Sequence, residues 1–287
     1  MKTQRLWFGF ILACTVISLI VSRHWYAEHQ RARAEAAAHQ QLVVELERAL
    51  PPLNTAVPIP LNCTAATPVV SLGDVQRLSR HRPRETWALA HPSNYGDRVA
   101  VDIHGRTVDY PLLVVLHETV YSAASAIDYF QTYHKHDEDQ ASYHAIITRR
   151  GDIIYTVPAH KRAYGAGNSA FKGEQVQTNP RIAPSVNNFA YHISLETPLD
   201  GQHEGMSHSG YTDAQYRSLA WLVSRTQVPW QRITTHAAVD LGGERADPRS
   251  FDWARFEQYW QPFHHVQQSY CALLANRQPP SAPSEAS

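Results

Sequence analysis

The sequence predicts an α/β protein built on a central mixed β-sheet flanked by helices, preceded by an N-terminal membrane-anchor helix. Three observations carry that expectation. Residues 111–116, Pro-Leu-Leu-Val-Val-Leu, form an unbroken apolar run of the kind a strand buried on both faces requires. Runs of this type alternate with stretches of helical spacing, as in a sheet covered by helices. Arg149-Arg150-Gly151-Asp152 separates two short strand candidates, 143–148 and 153–157, as a hairpin turn that makes the sheet mixed.

Composition supports a folded body. Hydrophobic residues make up 43% of the 287 and charged residues 18%, enough apolar content for a sizeable core. Lys plus Arg and Asp plus Glu both number 26, so the chain has no electrostatic footprint for nucleic acid. Three cysteines, none in a Cys-x-x-Cys pair, exclude thiolate zinc fingers and thioredoxin-type redox motifs.

From the N-terminus, Lys2 and Arg5 precede residues 6–22, seventeen positions without a charge, and Arg23 closes the run. The run exceeds a typical export-signal core and stays bulky through Leu19, Ile20 and Val21. Residues 1–25 are therefore expected to be an uncleaved anchor, with a cleaved export signal and a buried soluble helix as alternatives. With the anchor in place, the rest of the chain is expected outside the cytoplasm. Residues 26–50 are rich in strong helix formers, and Leu42, Leu46 and Leu50 recur at helical spacing. A short stalk helix and a solvated spacer both fit them. Pro51, Pro52, Pro58 and Pro60 then mark a linker, which completes a 26–70 stalk segment.

The expected folded domain covers 71–275, and residues 276–287 are expected to be a disordered Pro/Ser/Ala-rich tail. Helical spacing over 122–134 follows the 111–116 strand. Residues 189–195 are another strand candidate. Thr212-Asp213 begins a helix by capping, with Tyr216, Leu219, Ala220 and Val223 on its buried face. A short strand over 232–235 and a terminal helix over 251–260 complete the body. Cys63 and Cys271 bracket it, and an exported protein could join them in a disulfide or leave them free.

Several polar residues fall at the ends of these strands. His117 follows the 111–116 run, His236 follows Ile233-Thr234-Thr235, and Glu196 follows the run ending at Leu195. Strand ends are where loops of an open α/β sheet converge on ligands. Asp247 lies in Gly242-Gly-Glu-Arg-Ala-Asp-Pro248, a loop able to fold back beside His236. Two imidazoles and a carboxylate make a three-ligand zinc site with one position open for water. With seventeen histidines in the chain, composition alone leaves a structural role open for each.

The segments Leu116-His117-Glu118-Thr119, Ser142-Tyr143-His144, Ser194-Leu195-Glu196 and Thr235-His236 through Arg245-Ala246-Asp247-Pro248 to Phe251-Asp252-Trp253 occur in order. Together they resemble the zinc-dependent N-acetylmuramoyl-L-alanine amidases of the amidase-2 family, to which phage amidase lysozymes and peptidoglycan recognition proteins are related. The resemblance spans about residues 100–262. It implies Zn2+ held by His117, His236 and Asp247, Glu196 as general base, Arg245 in the place of a catalytic lysine, and Tyr143 beside the metal. It also implies a peptidoglycan or muropeptide substrate, cut between N-acetylmuramic acid and L-alanine.

Two departures stand out. Arginine keeps a lysine's charge but does not shuttle protons, so only an electrostatic role passes to Arg245. The family's aromatic-His-Ala-Gly stretch here reads Tyr164-Gly165-Ala166-Gly167, without its histidine. The rival readings are a module that grips muropeptides without cutting them, an amidase for small 1,6-anhydro muropeptides, and a phage endolysin.

Overall fold

The computed structural model describes residues 26–31, 33–38, 40–42, 44–45, 71–203 and 205–277. The anchor expected over residues 1–25, the proline-rich linker, Cys63 and the tail from 278 onward lie outside the described residues. No helix among the described residues is long and apolar enough to cross a membrane. The described positions between 26 and 45 are helical and mostly exposed.

The main sheet has six strands: β1 (Glu85–Trp87), β3 (Leu113–Glu118), β4 (Ala145–Ile147), β5 (Ile153–Tyr155), β7 (Ala190–Leu195) and β8 (Ile233–Thr235). Their spatial order is β1-β5-β4-β7-β3-β8. The β4–β5 hairpin is the antiparallel pair, and every other neighbouring pair is parallel. The sheet is thus mixed, as the turn at 149–152 foretells. Gly151 makes that turn with φ +84°, and an added Cβ would lie 2.7 Å from the carbonyl oxygen of Ala214, so only glycine fits. Two further strands, β2 (Tyr95–Asp97) and β6 (Lys161–Ala163), form a separate antiparallel ribbon.

Side chains alternate across the sheet. On one face Val114, Leu116, Ala145, Ile147, Tyr191, Ile193 and Leu195 join a core with two helices, α3 (Asp213–Arg225) and α5 (Trp253–Arg277). Tyr216, Leu219, Ala220 and Val223 of α3 are all buried there, as their spacing predicts. Thr212 caps α3 in a reciprocal capping box with Gln215. Three further helices complete the fold: α1 (Leu72–Ser79), α2 (Ala123–Gln131) and the single-turn α4 (His236–Val239).

On the other face, Leu113, Val115 and Ala190 pack under Phe171, Val176, Val186, Phe189 and Val239. Ile146 packs with Phe130 of α2. Two element bounds differ from the sequence expectation. Strand β3 continues through His117 and Glu118 because β7 keeps pairing with it as far as Leu195. Helix α5 runs to Arg277, past Pro262, well beyond the apolar stripe that signals its start.

Candidate metal centre

Strand β3 ends side by side with β7 and β8, and this fixes the position of His117. Its register partner on β7 is Ser194, while Leu116 pairs with Thr235 of β8. His236 starts α4 immediately after β8, with Thr235 as the side-chain cap of that turn. The loop following α4 is shaped by Asp240, whose carboxylate accepts from the backbone N–H groups of Gly242 (3.1 Å), Glu244 (2.7 Å) and Arg245 (3.0 Å). The chain then returns so that the Ala237 N–H donates to the Asp247 carbonyl at 3.0 Å.

The outcome is convergence of the three expected ligands. His117 Nδ1 and His236 Nδ1 each lie 3.2 Å from Asp247 Oδ2. Each of the three residues offers a ligand atom within 4.8 Å of the other two, and this is the sole such His/Cys/Asp/Glu group among the described residues. The ionisation of His117 and Asp247 suits a cation. Burial lowers the His117 pKa to about 4, against the opposing pull of Asp247, so its imidazole is neutral at pH 7. Burial would raise Asp247, but hydrogen bonds from His117 and His236 outweigh it and hold the carboxyl below the usual range. Two imidazole nitrogens and a carboxylate oxygen form a donor set suited to zinc.

Tyr143 stacks on His117, with ring centroids 4.4 Å apart, and meets Phe130 edge-on. Burial, then the charge of Asp247, raises its pKa, so its hydroxyl remains a donor. Arg245 is exposed, and its positive charge acts on both His117 and Tyr143.

Glu196 is placed differently from the other expected residues. One carboxylate oxygen accepts from the Ala123 N–H at the start of α2 (3.1 Å), and Arg149 Nη2 lies 2.9 Å from the same oxygen. The other oxygen accepts from the Arg149 backbone N–H at 2.9 Å. None of these contacts is with a ligand residue. The carboxylate ties the end of β7 to the hairpin and to the positive end of α2.

Four residues escape the sequence reading. His192 Nδ1 lies 2.9 Å from His117 Nε2, and Ser194 lies beside His117 with its buried hydroxyl unpaired among the described residues. Glu118 and Arg249 form a buried ion pair behind the site. The other oxygen of Glu118 lies 3.0 Å from both His208 Nε2 and the Tyr211 hydroxyl. Arg249 also donates to the carbonyls of His203 (2.8 Å) and Gly201 (2.7 Å). The histidine-rich 200–208 segment is therefore part of this network. Period-two alternation on 192, 194 and 196 was the available signal for the first pair; nothing local announces the second.

His134 stacks on Tyr129 and pairs with Asn94 at 3.0 Å.

The 1,6-anhydro-N-acetylmuramyl-L-alanine amidase AmpD of Citrobacter freundii is 35% identical over 132 residues, 44% of this chain and 60% of that protein. The Escherichia coli AmpD is 35% identical over 124 residues, 41% of this chain and 57% of its own length. The chain thus spans less than two thirds of the length of these relatives. A crystal structure of an AmpD selenomethionine derivative aligns at 26% identity with a TM-score of 0.45, over 62% of this chain and 93% of its own. A family model described as N-acetylmuramoyl-L-alanine amidase matches residues 107–250, half of the chain and the stretch that carries His117, His236 and Asp247, and the chain belongs to that family.

Proposed function

We propose that this protein hydrolyses the amide bond between the lactyl group of N-acetylmuramic acid and L-alanine of the stem peptide, as a zinc-dependent amidase. The observation that carries the reading is the convergence of His117, His236 and Asp247, which are the residues that would hold the ion. The chemistry supplied by a zinc ion there is Lewis acidity toward the scissile carbonyl and activation of water at neutral pH.

The chain's own side chains do the rest. Tyr143, held protonated by burial, donates its hydroxyl hydrogen to the oxygen on which negative charge develops. Arg245 adds a fixed positive charge at the exposed lip and orients the anionic parts of the substrate. Glu196, expected as the general base, holds α2 and the hairpin in place through three contacts, and among the described residues its Oε2 accepts only the Arg149 backbone N–H.

The named relatives are 1,6-anhydro-N-acetylmuramyl-L-alanine amidases, which supports small anhydro-muropeptides as a substrate class beside the intact wall. We also propose that the domain works outside the cytoplasmic membrane, tethered by residues 6–22; the uncharged run supports this. Protection of the domain from protease added to spheroplasts would overturn the tether's orientation.

Digestion of purified peptidoglycan and of anhydro-muropeptides by the full chain, with products identified by mass spectrometry, tests the activity. Free L-alanine-terminated peptides should appear, vanish with EDTA and return with zinc. The substrate that yields them decides between wall and muropeptide. Binding without cleavage of either would make the protein a recognition module.

A further inference from the structure

We infer that His192 is a positioning residue for the metal ligand His117, and that Gly165 exists to give its ring room. The inference rests on the reading of His117, His236 and Asp247 as the ligands.

The two nitrogens of His117 face different partners. Nδ1 points to Asp247 and the ligand cluster at 3.2 Å, while Nε2 lies 2.9 Å from His192 Nδ1. For Nδ1 to offer its lone pair to an ion, the ring proton must sit on Nε2, where His192 Nδ1 accepts it. A hydrogen bond to the second ring nitrogen fixes both the tautomer and the orientation of a ligating histidine.

His192 is itself held. His144 Nδ1 accepts from the His192 backbone N–H at 3.0 Å, and His144 Nε2 lies 3.1 Å from the Lys161 carbonyl oxygen. That carbonyl requires a proton on Nε2 of His144 and so leaves its Nδ1 as the acceptor. The arrangement thus runs from the Lys161 carbonyl through His144 and His192 to the ligand.

Two observations argue against plain core packing. His192 is fully buried, and its Nε2 has no protein partner among the described residues. In the tautomer that accepts from His117, that nitrogen carries a hydrogen, and a buried unsatisfied donor opposes folding. An apolar side chain would avoid it. The second observation is Gly165. A Cβ there would stand 2.5 Å from both Cγ and Nδ1 of His192. Tyr164-Gly165-Ala166-Gly167 is the stretch in which a histidine is expected by resemblance. The glycine vacates that volume, and the imidazole enters it from β7.

Zinc titration of the metal-stripped full chain in competition with a chromophoric chelator tests this, with thermal unfolding of the metal-free protein measured in parallel. His192→Ala should weaken zinc binding about 10–100-fold. His192→Gln, whose amide oxygen still accepts, should recover part of that loss. Gly165→Ala should weaken zinc binding in the wild-type background and add nothing in the His192→Ala background, where no ring remains to displace. Metal-free unfolding temperatures should not follow the order of the affinities. Equal zinc affinity in wild type and His192→Ala overturns the inference alone. Additive losses from the two substitutions, or affinities that simply track stability, overturn it as well. A wild-type chain that holds no zinc overturns the ligand assignment and the inference with it.

Discussion

The last two residues of β3, His117 and Glu118, face opposite sides of the sheet and live in opposite chemical regimes. On the His117 side, imidazole nitrogens and a carboxylate crowd together with coordination capacity left over. On the Glu118 side, both carboxylate oxygens are consumed by Arg249, His208 and Tyr211, and the pair is sealed from water. A site must keep donors free and aimed, whereas the scaffold behind it gains by saturating every one. One strand serves both because alternate side chains belong to different faces.

The sharpest way to break the comparison is to unseal the scaffold. Glu118→Ala leaves Arg249 buried and unpaired, and should destabilise the protein by about 3–5 kcal/mol in chemical denaturation. A loss comparable to that of an exposed ion pair would show that the network is not closed. On the other face, Tyr143→Phe removes one hydroxyl and little packing. It should lower kcat about 10²–10³-fold with KM, zinc affinity and stability nearly unchanged; a fall in stability with intact kcat would make Tyr143 a packing residue.

Glu196 lies between the two regimes, and Glu196→Gln decides its allegiance. The expected result is a stability loss of about 1–3 kcal/mol with a smaller effect on kcat. A kcat loss of about 10²–10⁴-fold at unchanged stability would instead place Glu196 in proton transfer. The smallest effect is expected at the exposed Arg245. Arg245→Ala should reduce kcat/KM about fivefold or less, fading as salt is added, with Arg245→Lys close to wild type. A large, salt-independent loss would mean that the arginine closes over the substrate.

How much the sequence disclosed follows the range of each signal. Strand β3 grows out of the continuous apolar run at 111–116, and buried central strands leave that mark, whereas β7 carries His192 and Ser194 among its apolar residues. The three-residue strands Glu85–Trp87, Tyr95–Asp97 and Lys161–Ala163 are too short for periodicity and owe their conformation to pairing partners distant in sequence. His117, His236 and Asp247 stand in recognisable segments. Glu118 is assigned the correct side of the chain by alternation, but its partners Arg249 and His208 lie 131 and 90 residues away, so its purpose is invisible locally. His192 is hidden for another reason. Its meaning depends on an absent side chain at Gly165, and absence in one segment points to nothing in another until the two are seen in contact.

The Glu118–Arg249 pair also bears on the proposed binding of zinc. Glu118 adjoins His117 and Arg249 follows Asp247 by two positions, so their attachment clamps the two segments of the candidate metal centre together by protein contacts alone. Small zinc domains collapse when chelated because the ion is their cross-link. Here the cross-link is already built from the chain. On the proposed zinc reading, loading would be a docking event on a finished surface, and stripping the ion would leave the fold intact.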